Sequence, residues 1–176
     1  QHGHMDAVGY DMYLRLLNEA IAEQKGIALP SSSEDCLVDI SIDAYIPDKY
    51  VESLSQRIDV YRRIAFIETE EDSQDVIDEL IDRYGEPPKS VIGLINVAIL
   101  RNTASSFGIT EIAQRGQNVI FYIKSPTVEQ IQALAVSYKG RILFSDQKKP
   151  YFSIMLNKKQ KAIDLMKETF ENMKPK

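Results

Sequence analysis

From about Ala7 to Lys25, Tyr10, Tyr13, Leu14, Leu17 and Ile21 recur at spacings of three and four, which predicts a helix with one apolar face, stopped by Gly26. After a polar loop around Pro30 and the serines 31 to 33, the period changes. Val38, Ile40, Ile42, Ala44 and Ile46 alternate with Asp39, Ser41, Asp43 and Tyr45, so a half-buried strand is predicted, ended by Ile46-Pro47-Asp48. Three helices are predicted next. Leu54, Ile58, Tyr61, Ile64 and Ala65 restore a helical period between Val51 and about Ile67. A second helix begins where Thr69 and Asp72 have the spacing of a capping box and ends at Tyr84-Gly85, just before Pro87-Pro88. The third, about Ser90 to Phe107, is apolar nearly all round and is expected to be the central buried helix.

Beyond Gly108, short apolar runs predict strands at 109–113, 118–124, 141–145 and 151–156. Helices are expected from about Thr127 to Gly140, with Pro126 in the first turn, and from about Lys159 to Met173. The order β-β-α-β-β-α favours a small antiparallel sheet with helices packed on one face. With the helix-rich first part, the fold class is α+β. The helix-rich residues 26–108 and the sheet-rich residues 109–176 are candidate subdomains, and the short connection at Gly108 favours one compact unit.

Composition fits this picture: 176 residues, 44 % apolar and 27 % charged, suffice for one sizeable core or two small ones. A single cysteine, Cys36, excludes an internal disulfide and fits a reducing cytoplasm. No apolar run approaches the roughly 18 residues of a membrane span, and Gln1 to Asp6 lack the regions of a signal peptide, so membrane and export roles are not expected. The net charge of -5 is unevenly spread, because residues 139–176 hold 10 Lys/Arg against 4 Asp/Glu. An acidic whole argues against a DNA-coating protein. The basic end nevertheless offers an alternative, a nucleic-acid-binding module built from Lys139, Arg141, Lys148, Lys149, Lys158, Lys159 and Lys161, with Tyr151 and Phe152 for stacking.

Catalytic signatures are nearly missing. No phosphate-cradling G-x-x-x-x-G-K-[ST], G-x-G-x-x-G or G-x-S-x-G occurs, and both histidines lie within the first four residues. Glu34 and Asp35 beside Cys36 disfavour a thiolate. His2, His4 and Asp6 could offer metal ligands only from a terminal segment without a packed second shell. A carboxylate pair of glycosidase type lacks an aromatic-lined cleft and any Trp. The expectation is a chain without catalytic residues, cofactor or metal.

The most informative pattern is Glu68 to Glu86, with nine acidic residues and one basic one, Arg83. On a helix, Val76, Ile77, Leu80, Ile81 and Tyr84 form an apolar side. Asp75, Glu79, Asp82, Arg83 and Glu86 gather within about a 100° arc on the other. Such a face is either simply solvated, with a Glu79–Arg83 i,i+4 pair, or a docking surface that offers carboxylates to cations and one guanidinium fork to a carboxylate.

Several ordered blocks carry a resemblance. Gln1 to Met5 leading into Val8-Gly9-Tyr10-Asp11-Met12-Tyr13, then Ile46-Pro47-Asp48 with Tyr50, Tyr61-Arg62-Arg63-Ile64-Ala65, and Glu79-Leu80-Ile81-Asp82-Arg83-Tyr84-Gly85 with Pro87, are similar to the C-terminal domain of the bacterial transcription-repair coupling factor, Mfd. The resemblance runs from residue 1 to about 110. It implies that residues 1–25 form a helix following a translocase motor, with Gln1 to Asp6 a native linker, and that 26–176 form a regulatory domain. The whole factor would be an ATP-dependent, helicase-like DNA translocase that displaces stalled RNA polymerase and recruits nucleotide excision repair through an N-terminal region binding UvrA. The C-terminal domain would be an autoinhibitory latch on that N-terminal region, with Glu79, Asp82 and Arg83 as its docking residues. The block carries Tyr84 where the family commonly has Phe.

Overall fold

The structure is a computed structural model, and it describes residues 36–175. The helix expected at 7–25 lies outside the described residues, as do His2, His4 and Asp6. Among the described residues are five helices and five strands. In chain order they are β1 (Leu37–Asp39), α1 (Leu54–Ala65), α2 (Glu70–Tyr84), α3 (Lys89–Ser106), β2 (Ile109–Arg115), β3 (Asn118–Ile123), α4 (Val128–Ser137), β4 (Ile142–Ser145), β5 (Tyr151–Met155) and α5 (Ala162–Met173). The architecture is α+β. By contact density the chain falls into two compact units. Within the described residues, one is Ile42–Ile99; the other joins the residues before Ile42 to everything from Leu100 onward.

In the first unit, α1, α2 and the part of α3 up to Ile99 are held by one apolar core. Val60, Tyr61 and Ile64 of α1, Leu80 of α2, and Val91, Leu94, Ile95 and Ala98 of α3 are buried together with Ile46, Val51 and Ile67. The buried hydroxyl of Tyr61 accepts from the Ile46 amide at 2.8 Å, which ties the incoming chain to α1. Every residue of α3 from Ser90 to Arg101 is buried or half-buried, as an all-round apolar helix requires.

The strand expected across 38–46 is a ladder only at Leu37–Asp39, and it pairs in parallel with β2. Residues 40–46 keep the alternation of more and less buried positions without pairing as a strand. Their amides go elsewhere: Ser41 to the Gln114 side chain at 2.8 Å, and Tyr45 to the Ser90 carbonyl at the start of α3 at 3.2 Å. Period two therefore reported one-sided burial, not pairing.

In the second unit the sheet order is β1-β2-β3-β5-β4, antiparallel except for β1. The four antiparallel strands are those expected from sequence, and the parallel edge strand β1 is an addition. One register row runs Val38, Ile112, Phe121, Phe152, Phe144 across all five strands. Phe121 and Phe152 stack at 4.8 Å, and Phe170 of α5 meets Phe121 edge-on. Thr127 caps α4 reciprocally with Gln130, so Pro126 precedes the cap instead of occupying the first turn.

Gly93 of α3 lies against the 42–46 segment so closely that a Cβ would sit 2.9 Å from the Asp43 carbonyl oxygen. Alanine adds about 1 kcal/mol of helix propensity, but displacing packed backbone costs about 1–3 kcal/mol. Gly93→Ala is expected to be destabilising in urea unfolding, against the propensity trend; an increase in stability would show that this approach is not tight.

Candidate functional site

Helix α2 carries the charged face, and its two ends are fixed by local chemistry. At the start, the Thr69 hydroxyl accepts from the Asp72 amide while the Asp72 carboxylate accepts from the Thr69 amide, both at 3.0 Å, and also from the Glu68 amide at 3.0 Å. The capping box expected from sequence is thus present, with Asp in the place of the usual Glu or Gln. Glu70, Glu71 and Asp72 lie at the positive end of the helix dipole and Arg83 in the last turn. At the far end Gly85 has φ 84°, a conformation that disfavours any side chain, and its amide closes on the Ile81 carbonyl. The Tyr50 hydroxyl donates to the Gly85 carbonyl at 2.7 Å, and its ring meets Tyr84 edge-on at 5.8 Å. Burial, followed by the charge of Glu86, pushes the Tyr50 hydroxyl above its ordinary range, so it stays a neutral donor.

Between these ends the helix is two-sided. Ser73 and Leu80 are buried, with Val76, Ile77 and Tyr84 half-buried beside them. Asp75, Asp82 and Arg83 are exposed on the other side, whereas Glu86, expected on the same face, is exposed but lies beyond the Gly85 cap and off the helix, because the chain turns there with positive φ. Ile81, expected on the inward side, is 39 % exposed, because it lies about 100° around the helix from Leu80, beyond the packed stripe.

Glu79 sits at the margin of the exposed face, its side chain 36 % accessible. The expected i,i+4 pair with Arg83 is present, Arg83 Nη1 reaching Glu79 Oε1 at 3.4 Å. A second cation was not expected from sequence: Arg63, in the last turn of α1, pairs with the other oxygen, Oε2. Glu79 is therefore held between two arginines from two helices, while Asp75, Asp82 and Glu86 make no ion pair among the described residues. The Arg83 guanidinium lies 5.1 Å from the centre of the Tyr84 ring. Val60, Arg63, Val76, Glu79, Leu80, Arg83 and Tyr84 line a crevice of about 10 Å³, room for about one water molecule and none for a metabolite. The charged ends of these side chains are available to another surface.

Two of the seven cations named for the basic end, Lys149 and Arg141, are engaged within the chain. Lys149 pairs with Glu111 at 2.6 Å and lies 4.0 Å over the Tyr122 ring. Arg141 donates to the Met155 carbonyl at 3.2 Å and lies against the Tyr138 ring. Phe152, expected to be available for stacking, is 1 % exposed in the sheet core, because its register row faces inward. Tyr151 is half-buried against Tyr122. Lys139, Lys148, Lys158, Lys159 and Lys161 are exposed. Cys36 is buried, its amide donating to the Ser105 hydroxyl at 3.1 Å. Among the described residues no three His, Cys, Asp or Glu side chains are grouped to hold a metal, and no helix is long and apolar enough to cross a membrane.

Residues 40–134, which include the whole of α2 and its face, match the family model of the TRCF domain. The chain belongs to the TRCF domain family. Over 172 residues the TRCF chain is 31 % identical to the transcription-repair-coupling factor of Staphylococcus aureus (strain USA300), covering 95 % of this chain and 15 % of that protein. Over 132 residues it is 35 % identical to the factor of Staphylococcus epidermidis, covering 74 % of this chain and 11 % of that protein. The chain thus spans a small part of the length of these relatives. Its fold is that of a crystallised C-terminal domain of transcription-repair coupling factor, with TM-score 0.67 and 18 % identity, covering 79 % of this chain and 91 % of that one.

Two consequences concern α2 of this TRCF domain. The Tyr84 hydroxyl is buried with no hydrogen-bond partner among the described residues, and such an orphan costs about 1–3 kcal/mol. Tyr84→Phe is expected to raise stability by about 1 kcal/mol in denaturant titration; a loss would mean that the hydroxyl is satisfied in solution. Asp72, in turn, is held below its ordinary value of 3.8 by the Glu68 and Thr69 amides, so its contribution is present above that value and is lost as pH falls through the lowered one. The stability difference between the wild type and Asp72→Asn is expected to be largest near neutrality and to shrink as pH drops below about 4. A pH-independent difference would overturn the capping role of the carboxylate.

Proposed function

We propose that this chain is the non-catalytic, autoinhibitory C-terminal domain of a transcription-repair coupling factor. In this reading the whole factor is a cytoplasmic, ATP-dependent DNA translocase that displaces stalled RNA polymerase and recruits nucleotide excision repair. The domain docks through Glu79, Asp82 and Arg83 on the UvrA-binding N-terminal region of the same protein and conceals it until the motor engages. One observation carries the reading: α2 is packed by Ser73 and Leu80 on one side and presents Asp75, Asp82 and Arg83 outward on the other. A partner that fits offers cations to Glu79 and Asp82 and a carboxylate to the guanidinium of Arg83.

The face suits a latch because its strength is moderate. Coupling between two sites is typically about 1–3 kcal/mol, which engagement of the motor can overcome. A broad apolar interface would be harder to release.

The test is reversal of charge at all three positions, Glu79→Lys, Asp82→Lys and Arg83→Glu, with calorimetric titration against the N-terminal region. The expected outcome is at least a tenfold loss of affinity and, in the full-length factor, increased capture of UvrA. Unchanged affinity in a folded variant would overturn the docking assignment.

A further inference from the structure

The carboxylates of the α2 face are not equivalent. Asp75 and Asp82 make no ion pair among the described residues, whereas both oxygens of Glu79 are already engaged, Oε1 by Arg83 of its own helix and Oε2 by Arg63 of α1. The side chain of Arg63 is 46 % accessible and that of Glu79 is 36 %, so the pair lies at the surface and not inside the core. We infer that Arg63 is an internal stand-in for the partner's cation: it occupies Glu79 while the domain is undocked, and docking must exchange or share that pair.

The inference deepens the docking reading above and rests on it. Its physical content is an exchange. A partner cation arriving at Asp82 finds an unanswered carboxylate; one arriving at Glu79 finds a carboxylate between two guanidinium groups, whose positive charge also repels it. The gain at Glu79 is the difference between two similar pairs, so Arg63 lowers the affinity of the docked state without touching the partner. Tertiary packing places it there. Arg63 follows Val60 and precedes Ile64, both buried in the core shared with Leu80 of α2, so the last turn of α1 is held beside the middle of α2. Arg63 is accordingly a positioning residue for Glu79. Arg62, its neighbour in sequence, has no such pair among the described residues and serves as a control of equal charge.

The experiment titrates the 176-residue chain, as wild type, Arg63→Gln, Arg63→Lys and Arg62→Gln, against the N-terminal region of its coupling factor by calorimetry. Circular dichroism establishes that each variant is folded, and each is repeated in a Glu79→Gln background. Releasing one exposed ion pair corresponds to a change of about two- to fivefold. Arg63→Gln is expected to tighten docking by that factor, Arg63→Lys to restore wild-type affinity, and Arg62→Gln to have a smaller effect. In the Glu79→Gln background the gain from Arg63→Gln is expected to disappear. Weakened or unchanged docking of Arg63→Gln would overturn the inference, as would a gain that persists without the Glu79 carboxylate or that Arg62→Gln matches. Each of these outcomes leaves the docking reading intact, because that reading fails separately, through indifference to reversal of Glu79, Asp82 and Arg83.

Discussion

A helix that is apolar on every side has no face to offer water, and α3 is such a helix. Its first half supplies Val91, Leu94, Ile95 and Ala98 to a core that also takes Val60, Tyr61 and Ile64 from α1 and Leu80 from α2. Burying these side chains removes about 25 cal/mol of unfavourable free energy per Å² of apolar surface, far more than any surface ion pair contributes. The rotation of α2 about its own axis is therefore set by the core. Once Ser73 and Leu80 are inside, the period of 3.6 leaves Asp75 and Asp82 outside. Gly93 permits a close approach in this arrangement, between α3 and the backbone at Asp43. The charged face is thus a consequence of packing on the opposite side of the same helix.

What could be read from sequence was what local chemistry decides. The Thr69–Asp72 box needs only a hydroxyl and a carboxylate three residues apart, and Gly85 needs only a chain that must turn with positive φ, so both ends of α2 were legible. The apolar stripe of α2 was legible apart from Ile81, which the spacing assigns to the inward side and which packing leaves exposed. Tertiary information was not legible. Alternation at 38–46 cannot distinguish a ladder from an unpaired segment with one side buried, because the distinguishing amides bond to Gln114 and Ser90, far along the chain. The inward register of Phe152 depends on its pairing with Phe121. Arg63 is the same kind of case: its charge and position in α1 were visible, but its meeting with Glu79 depends on how α1 and α2 pack.

The energetics of the Glu79 cluster follow from its exposure. In water-accessible positions a carboxylate–guanidinium pair contributes about 0.2–1 kcal/mol, so the two pairs of Glu79 add little to folding. Their importance is in the balance between two states of similar energy. A contact that docks and undocks needs a free-energy difference small enough to be reversed by other events in the protein. Pairs that can be exchanged one for another, with solvent always near, give such small differences.

The two parts of the chain treat their charges differently, and this supports the proposed docking reading over nucleic-acid binding. In the second unit several cations are answered internally: Lys149 by Glu111 and the Tyr122 ring, Arg141 by the Met155 carbonyl and the Tyr138 ring, Arg115 by Asp39 at 2.9 Å. The two aromatic side chains expected to stack on bases are committed as well, Phe152 to the core and Tyr151 to Tyr122. Base stacking needs an open ring, and phosphate binding needs cations whose charge is not already neutralised. The exposed lysines that remain lie in separate segments: the end of α4, the β4–β5 turn and the loop before α5. On α2, by contrast, Asp75 and Asp82 make no ion pair among the described residues and share one face of one doubly capped element. Unanswered charge held in fixed geometry is what a complementary surface can recognise at little entropic cost, and in the described residues α2 presents it in one place.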